Sequence, residues 1–213
     1  TAGTSNVRFG VNAGNSIVSG GNYNVVVGDE AGTAITTGDY NTAVGKSTGA
    51  SVTTGTNNTL MGGTAGLNLT TGGENVAIGY GALYTDDVGS HSTAVGVSAL
   101  QNQNYASATD SYNTAVGFSA GLAVTTGIGN SLIGGLAGDA LTDADYNVAV
   151  GSYALTADTL GSRSTAIGVS ALESQNFTSA TATYNTAVGF AAGSSVTTGV
   201  NNTLIGGLAG DAL

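Results

Sequence analysis

Apolar residues in this chain stand singly or in runs of two or three among Gly, Thr, Asn and Ser, and no segment sustains a 3.6-residue period. A five-residue unit recurs instead, as in Asn41-Thr42-Ala43-Val44-Gly45 and Asn202-Thr203-Leu204-Ile205-Gly206. The units start at Asn6, Asn24, Asn41, Asn58, Asn75, Ser92, Asn113, Asn130, Asn147, Ser164, Asn185 and Asn202. Most of these starts are one 17-residue step apart, as from Asn24 to Asn41, and the first step, Asn6 to Asn24, is longer by one. Two steps are 21-residue ones, Ser92 to Asn113 and Ser164 to Asn185. Four coils make a superperiod that carries Asn41 onto Asn113 and Asn185, and Ser92 onto Ser164. It divides the chain into 41–112, 113–184 and a partial 185–213. Residues 113–141 and 185–213 agree at 23 of 29 positions, the mark of a tandem duplication. A 17-residue period is too short for helical-hairpin repeats and lacks a leucine-rich signature. It suits one turn of a parallel β-solenoid, whose coils stack at roughly 4.8 Å. The prediction is an all-β chain of about twelve 17–21-residue coils, forming one repeat domain over 1–213 with almost no helix.

Stacking the coils turns the sequence into columns. The fourth position is always large and apolar, as in Phe9, Val27, Val44, Met61, Ile78, Val95, Val116, Ile133, Val150, Ile167, Val188 and Ile205. By size, this column and the second-position residues two before it are expected to line the core. The third position then faces the other way, yet it too is apolar, as in Ala43, Leu60, Ala77, Ala94, Ala115, Leu132, Ala149, Ala166, Ala187 and Leu204. A strand that is apolar on both faces is normally covered on both. One short coil supplies no second layer, so the third column is the expected surface for lateral packing against copies of the same chain. At roughly 25 cal/mol per Å² buried, a dozen such residues would stabilise that assembly substantially. The fifth position is Gly throughout, where a turn needs positive φ or backbones come close. Three residues later stands Ala in every coil but one, Thr48 being the exception, which marks a narrow inward corner.

Composition sharpens this picture. The net charge is −10, and Arg8, Lys46 and Arg163 are the fixed cations, too few to neutralise a phosphate backbone or an anionic membrane surface. No apolar run approaches the roughly 18 residues that a spanning helix needs, so membrane insertion is not expected. There is no Cys and hence no disulfide framework. Thr1-Ala2-Gly3-Thr4 does not resemble a signal peptide, and Asp211-Ala212-Leu213 stands mid-repeat, so an excerpt of a longer protein is expected.

Catalysis needs a convergent cluster of reactive groups, and none is visible. His91 is the single histidine and occupies the turn slot before a repeat start, held elsewhere by Tyr40, Glu74 or Arg163. The carboxylates lie at turns (Asp29, Glu30, Asp86, Asp87, Asp143, Asp145) without cations nearby in sequence. The calcium-binding nonapeptide and the Gly-Lys-Ser/Thr phosphate loop are absent. No catalytic residue, cofactor or metal is therefore expected. Three polar or aromatic features remain. The Asn column reads either as an amide ladder along the axis or as Asn tolerating a left-handed turn. Tyr23, Tyr40, Tyr112, Tyr146 and Tyr184 precede the repeat Asn, either as a strip for glycan stacking or as turn packing. The 21-residue coils carry insertions around Gln103-Asn104-Tyr105 and Gln175-Asn176-Phe177. Solenoid insertions map to loops, often on a binding face, so Tyr105 and Phe177 are the candidate ligand contacts, with inert decoration as the alternative.

The run Asn113-Thr114-Ala115-Val116-Gly117, followed by Ser119-Ala120-Gly121, resembles the head repeats of YadA-like trimeric autotransporter adhesins. It is also similar to the Asn-Thr-Ala-Ile-Gly arrays of phage tail-fibre proteins and related bacterial fibre proteins. The resemblance spans essentially the whole chain, although the adhesin-head repeat is shorter than the coils of this sequence. It implies a left-handed parallel β-roll, a side-by-side homotrimer, and a shaft or head segment that mediates attachment to a cell-surface receptor or glycan. It also implies an extracellular place, on a bacterial surface or a virion. The alternative function is an ice-binding solenoid, for which Thr36, Thr53 and Thr70 stack over three coils before the Thr-Thr-Gly motif lapses.

Overall fold

The computed structural model describes residues 3–211, so the outermost residues of both chain ends, Thr1-Ala2 and Ala212-Leu213, lie outside it. The described residues hold no helix and form a parallel β-solenoid. They fall into two compact units that divide between Ser111 and Tyr112, one position from the superrepeat boundary.

Unit 1 contains β1 (Val7–Phe9), β2 (Val25–Val27), β3 (Thr42–Val44), β4 (Thr59–Met61), β5 (Val76–Ile78), β6 (Gly89–Ser90), β7 (Thr93–Val95) and β8 (Thr109–Asp110). β1 to β5 and then β7 pair in parallel, each in register with the next, so that Thr42, Ala43 and Val44 lie over Thr59, Leu60 and Met61. Unit 2 repeats the scheme with β9 (Thr114–Val116), β10 (Ser131–Ile133), β11 (Val148–Val150), β12 (Gly161–Ser162), β13 (Thr165–Ile167), β14 (Thr181–Ala182), β15 (Thr186–Val188) and β16 (Thr203–Ile205). The short pairs β6–β8 and β12–β14 arise only where a long coil lies over an ordinary one.

Each coil is bent by residues with positive φ. The residue before the repeat Asn is left-handed in coil after coil, for example Tyr40 at 58° and Glu74 at 60°. The fifth-position glycine is opened further, as at Gly134 (φ 133°), and a Cβ there would lie 2.6 Å from the Gly151 carbonyl of the next coil. Both expected reasons for that glycine therefore hold at once.

Between these bends the strand segment is short, and alternation sends the first and third positions of the unit inward. The first-position asparagines are buried in register and form a ladder. Asn41 Oδ1 accepts the Asn58 backbone N–H at 3.1 Å, and Asn41 Nδ2 donates to the Gly55 carbonyl at 2.8 Å. The ladder reading holds, and the left-handed residue of this turn is the neighbour before the Asn.

The third position is the inner wall of the strand. Ala43, Ala77, Ala94, Ala115, Ala149, Ala166 and Ala187 are buried, as are Leu60 and Leu132, each with none of its surface exposed. This reverses the sequence expectation for both columns. Val44, Ile78, Val95, Val150 and Val188 are half-buried on the outer face, while Met61, Val116, Ile133, Ile167 and Ile205 are exposed. The physical reason lies in the Asn ladder. The first-position Asn turns inward to bond the backbones of neighbouring coils, so alternation puts the third position on the same side and sends the second and fourth outward. The corner alanines (Ala65, Ala82, Ala137, Ala154) and a third inward column (Ile35, Val52, Leu69; Val124, Leu141) complete the core.

Where the strand wall carries Leu, the opposite corner loses its side chain. A Cβ on Gly66 would lie 2.9 Å from Leu60 Cδ2, and one on Gly138 would lie 2.8 Å from Leu132 Cδ2. Where the wall carries Ala77, Ala94, Ala149 or Ala166, the equivalent corner is Leu83, Leu100, Leu155 or Leu172, fully buried. Those leucines keep the left-handed backbone of the glycines they replace, with φ between 47° and 57°. A left-handed non-glycine residue costs about 1–2 kcal/mol, which burying a whole Leu side chain, about 1.5–3 kcal/mol, offsets.

Candidate interaction face

With alternation sending the second and fourth positions outward, the exposed face of each strand ladder can be read by column. In unit 2 the fourth column is Val116, Ile133, Val150, Ile167, Val188 and Ile205, and the second is Thr114, Ser131, Val148, Thr165, Thr186 and Thr203. The residue after the fifth-position glycine extends the band with exposed Phe118, Val169 and Phe190, and in unit 1 with Tyr80 and Val97. Met61 exposes 41% of its surface and Ile133 42%. No charged residue stands in the second or fourth column of either unit, although the chain carries 13 carboxylates. An outer sheet face is ordinarily kept soluble by charge, whereas depletion of charge marks the centre of an interface. The apolar second face expected from the sequence is thus present, carried by the fourth-position residues.

The insertions behave differently from expectation. Tyr105 and Phe177 are 5% and 7% exposed, so neither is a surface ligand contact. Both rings are buried in the coil, and the exposed residues of the insertions are Asn102, Asn104 and 106–108, with Ser174, Asn176 and 178–180 in unit 2. The insertions also complete a buried polar cluster. In unit 1 the inward column Ile35-Val52-Leu69 gives way to Asp86 and Gln103, both fully buried. Asp86 Oδ1 accepts the Gly89 N–H at 2.9 Å, and Gln103 Nε2 donates to Asp86 Oδ2 and Ser92 Oγ, each at 2.7 Å. Ser92 stands where the ladder lacks its Asn, and Gln103 brings an amide back to that level. Unit 2 repeats this with Asp158, Gln175, Ser164 and Thr183, and there Gln175 Oε1 accepts from Asn185 Nδ2 at 2.7 Å. Burial pushes the Asp86 carboxyl above its usual range, against the Gln103 and Gly89 hydrogen bonds that lower it, and the Asp87 charge adds to the rise.

The turn edge before the repeat Asn forms a third surface. Tyr23 and Tyr40 stack there with centroids 5.0 Å apart and planes 9° from parallel. His91 lies between two carboxylates, 3.1 Å from Glu74 and 3.0 Å from Asp110. In unit 2 the Arg163 guanidinium lies over the Tyr146 ring, 5.5 Å from its centroid. Among the described residues no group of three or more His, Cys, Asp or Glu side chains is placed to hold a metal ion. No helix of the described residues is long and apolar enough to cross a membrane. The Thr36 and Thr53 hydroxyls donate to the carbonyls of Thr53 and Thr70, so that column directs its hydroxyls along the axis. No protein-family model, curated protein or solved structure matches this chain.

Proposed function

We propose that this chain is a structural shaft or head segment of a homotrimeric fibre or adhesin, which mediates attachment to a cell surface from an extracellular position on a bacterium or a virion. The observation that carries this reading is the outer strand face, whose second and fourth columns hold Val, Ile, Met, Phe, Thr and Ser and no charged residue in any coil. A periodic apolar band is matched best by a surface with the same period, and another copy of the chain has that period by construction. Each copy covers the others' bands, leaving the acidic turns in solvent. The same repeats carry the resemblance to YadA-like heads and tail-fibre arrays. The ice-binding alternative is weakened because the stacked Thr36 and Thr53 hydroxyls are engaged within the solenoid.

Sedimentation velocity or mass photometry of the 213-residue chain tests the reading. A trimer is expected, and Ile133→Asp with Ile167→Asp should return it to monomer with its β signal in circular dichroism intact. A wild-type chain that stays monomeric at tens of micromolar, with the band in solvent, would overturn it.

A further inference from the structure

Two turn-edge slots one superperiod apart are wired in opposite ways. In unit 1, His91 is flanked by Glu74 and Asp110, which engage both of its ring nitrogens. The superperiod that carries Ser92 onto Ser164 also carries His91 onto Arg163, Glu74 onto Tyr146 and Asp110 onto Ala182. The second slot therefore has a permanent cation in place of the imidazole, and both carboxylates are gone. Among the described residues Arg163 makes no ion pair, and it is the only Lys or Arg of 112–213. It is exposed, and its backbone is pinned by donation to the Asp145 carbonyl at 2.9 Å. Its guanidinium rests on Tyr146, which reduces the ordering that a ligand must impose. In a chain of net charge −10, a cation relieved of both neighbouring acids is arranged for an anion from outside.

We infer that the edge formed by Tyr146, Arg163 and Tyr184 binds a carboxylate-bearing saccharide, of the uronic or sialic acid type. Arg163 pairs bidentately with the sugar carboxylate. Tyr184, exposed by 56%, offers ring surface to the apolar face of a pyranose, while Tyr146, packed against Gly129, holds the guanidinium flat above its ring. Asp143 and Asp145 lie on the same edge, just before Tyr146. Neither pairs with Arg163, and one oxygen of each already accepts a hydrogen bond, Asp143 Oδ1 from the Thr126 hydroxyl and Asp145 Oδ1 from the Ile128 N–H. Their charge along the edge disfavours a polyanion such as a nucleic acid or polyphosphate, and their second oxygens can accept from sugar hydroxyls. A ligand with one carboxylate and several hydroxyls fits that balance.

This inference deepens the attachment reading and rests on it for the encounter with a glycan. Saturation-transfer NMR and calorimetry with 3′-sialyllactose and digalacturonate, against lactose and a short Asp/Glu peptide, test it. The acidic sugars are expected to bind and lactose much less. Arg163→Ala should weaken the acidic sugars at least about tenfold, the usual worth of a hydrogen bond to a charged group. The triple change Arg163→His, Tyr146→Glu, Ala182→Asp, which rebuilds the first slot, should abolish binding. Equal binding of lactose, tighter binding of the acidic peptide, or indifference to Arg163→Ala would each overturn the site. Sedimentation of the same samples separates the two ideas. A trimer that ignores acidic sugars sinks this site alone, and a monomer that binds them sinks the trimer alone.

Discussion

Leu132 and Ile133 are neighbours in one strand, and the structure gives them opposite duties. Leu132 is fully buried, with Gly138 against its side chain, whereas Ile133 lies on the outer face. Leu132→Ala removes three carbons from a site whose nearest wall is a glycine in the left-handed region, φ 56°, which cannot move in to fill the void. Buried Leu→Ala changes cost about 2.7–5 kcal/mol, rising with the cavity that remains, and this rigid corner belongs in the upper half of that range. For a chain of this size each 1 kcal/mol moves the midpoint by about 2–4 °C, so a loss of roughly 8–20 °C is expected. Ile133→Ala within a single chain removes side-chain carbons that are partly in water already and should cost about 1 kcal/mol. Thermal melts by circular dichroism over a hundredfold range of protein concentration distinguish the two. The Leu132→Ala loss should be independent of concentration. If copies pack through this face as proposed, the Ile133→Ala loss should shrink on dilution, since the share lost with assembly then disappears. A larger loss for Ile133→Ala than for Leu132→Ala in dilute protein would refute the placement of the core.

Two further outcomes follow from the buried polar groups. Burial raises the Asp86 carboxyl, so the folded state holds its proton to higher pH than the unfolded chain does. That contribution to stability is fully present below the unfolded value and is lost as pH rises through the folded one. Asp86→Asn should therefore flatten the fall in unfolding free energy across the carboxylate range in denaturant titrations, and an unchanged pH profile would count against the assignment. Asn41→Ala strands the Asn58 N–H and the Gly55 carbonyl, two buried groups worth about 1–3 kcal/mol each. Hydrogen exchange should accelerate first at Asn58, and uniform acceleration along the chain would show that the ladder has no local role.

The comparison of the third and fourth columns shows where sequence reasoning ran short. Both are apolar in nearly every coil, and size alone favours Val44 or Ile133 for the core over Ala43 or Ala115. Alternation overrides that rule, because the first-position Asn is drawn inward by its ladder of hydrogen bonds and the third position follows it to the same side, whatever its size. A partial signal was present as a pairing of sizes, Leu60 with Gly66 and Ala77 with Leu83, although Ala43 with Gly49 and Ala115 with Gly121 do not follow it. It is legible only once those positions are known to face each other. Likewise Tyr105 and Phe177, on inserted segments, read as surface ligand contacts, with inert decoration as the alternative, whereas both are buried beside Gln103 and Gln175, which carry the insertions inward.

By itself, the spacing of Asn and Gly determined a parallel solenoid, its coil boundaries, its long coils and the in-register stacking, because a repeated turn leaves the backbone one way to pair. The expected glycine column and alanine corner are both present, for the steric reasons that their small size announces. Which face is inside was decided only in the closed coil, where the first-position Asn bonds the backbones of neighbouring coils and carries the third position inward with it. The same closure placed a carboxylate at Asp86 among apolar walls, and left Arg163 on an edge without the acids that hold His91.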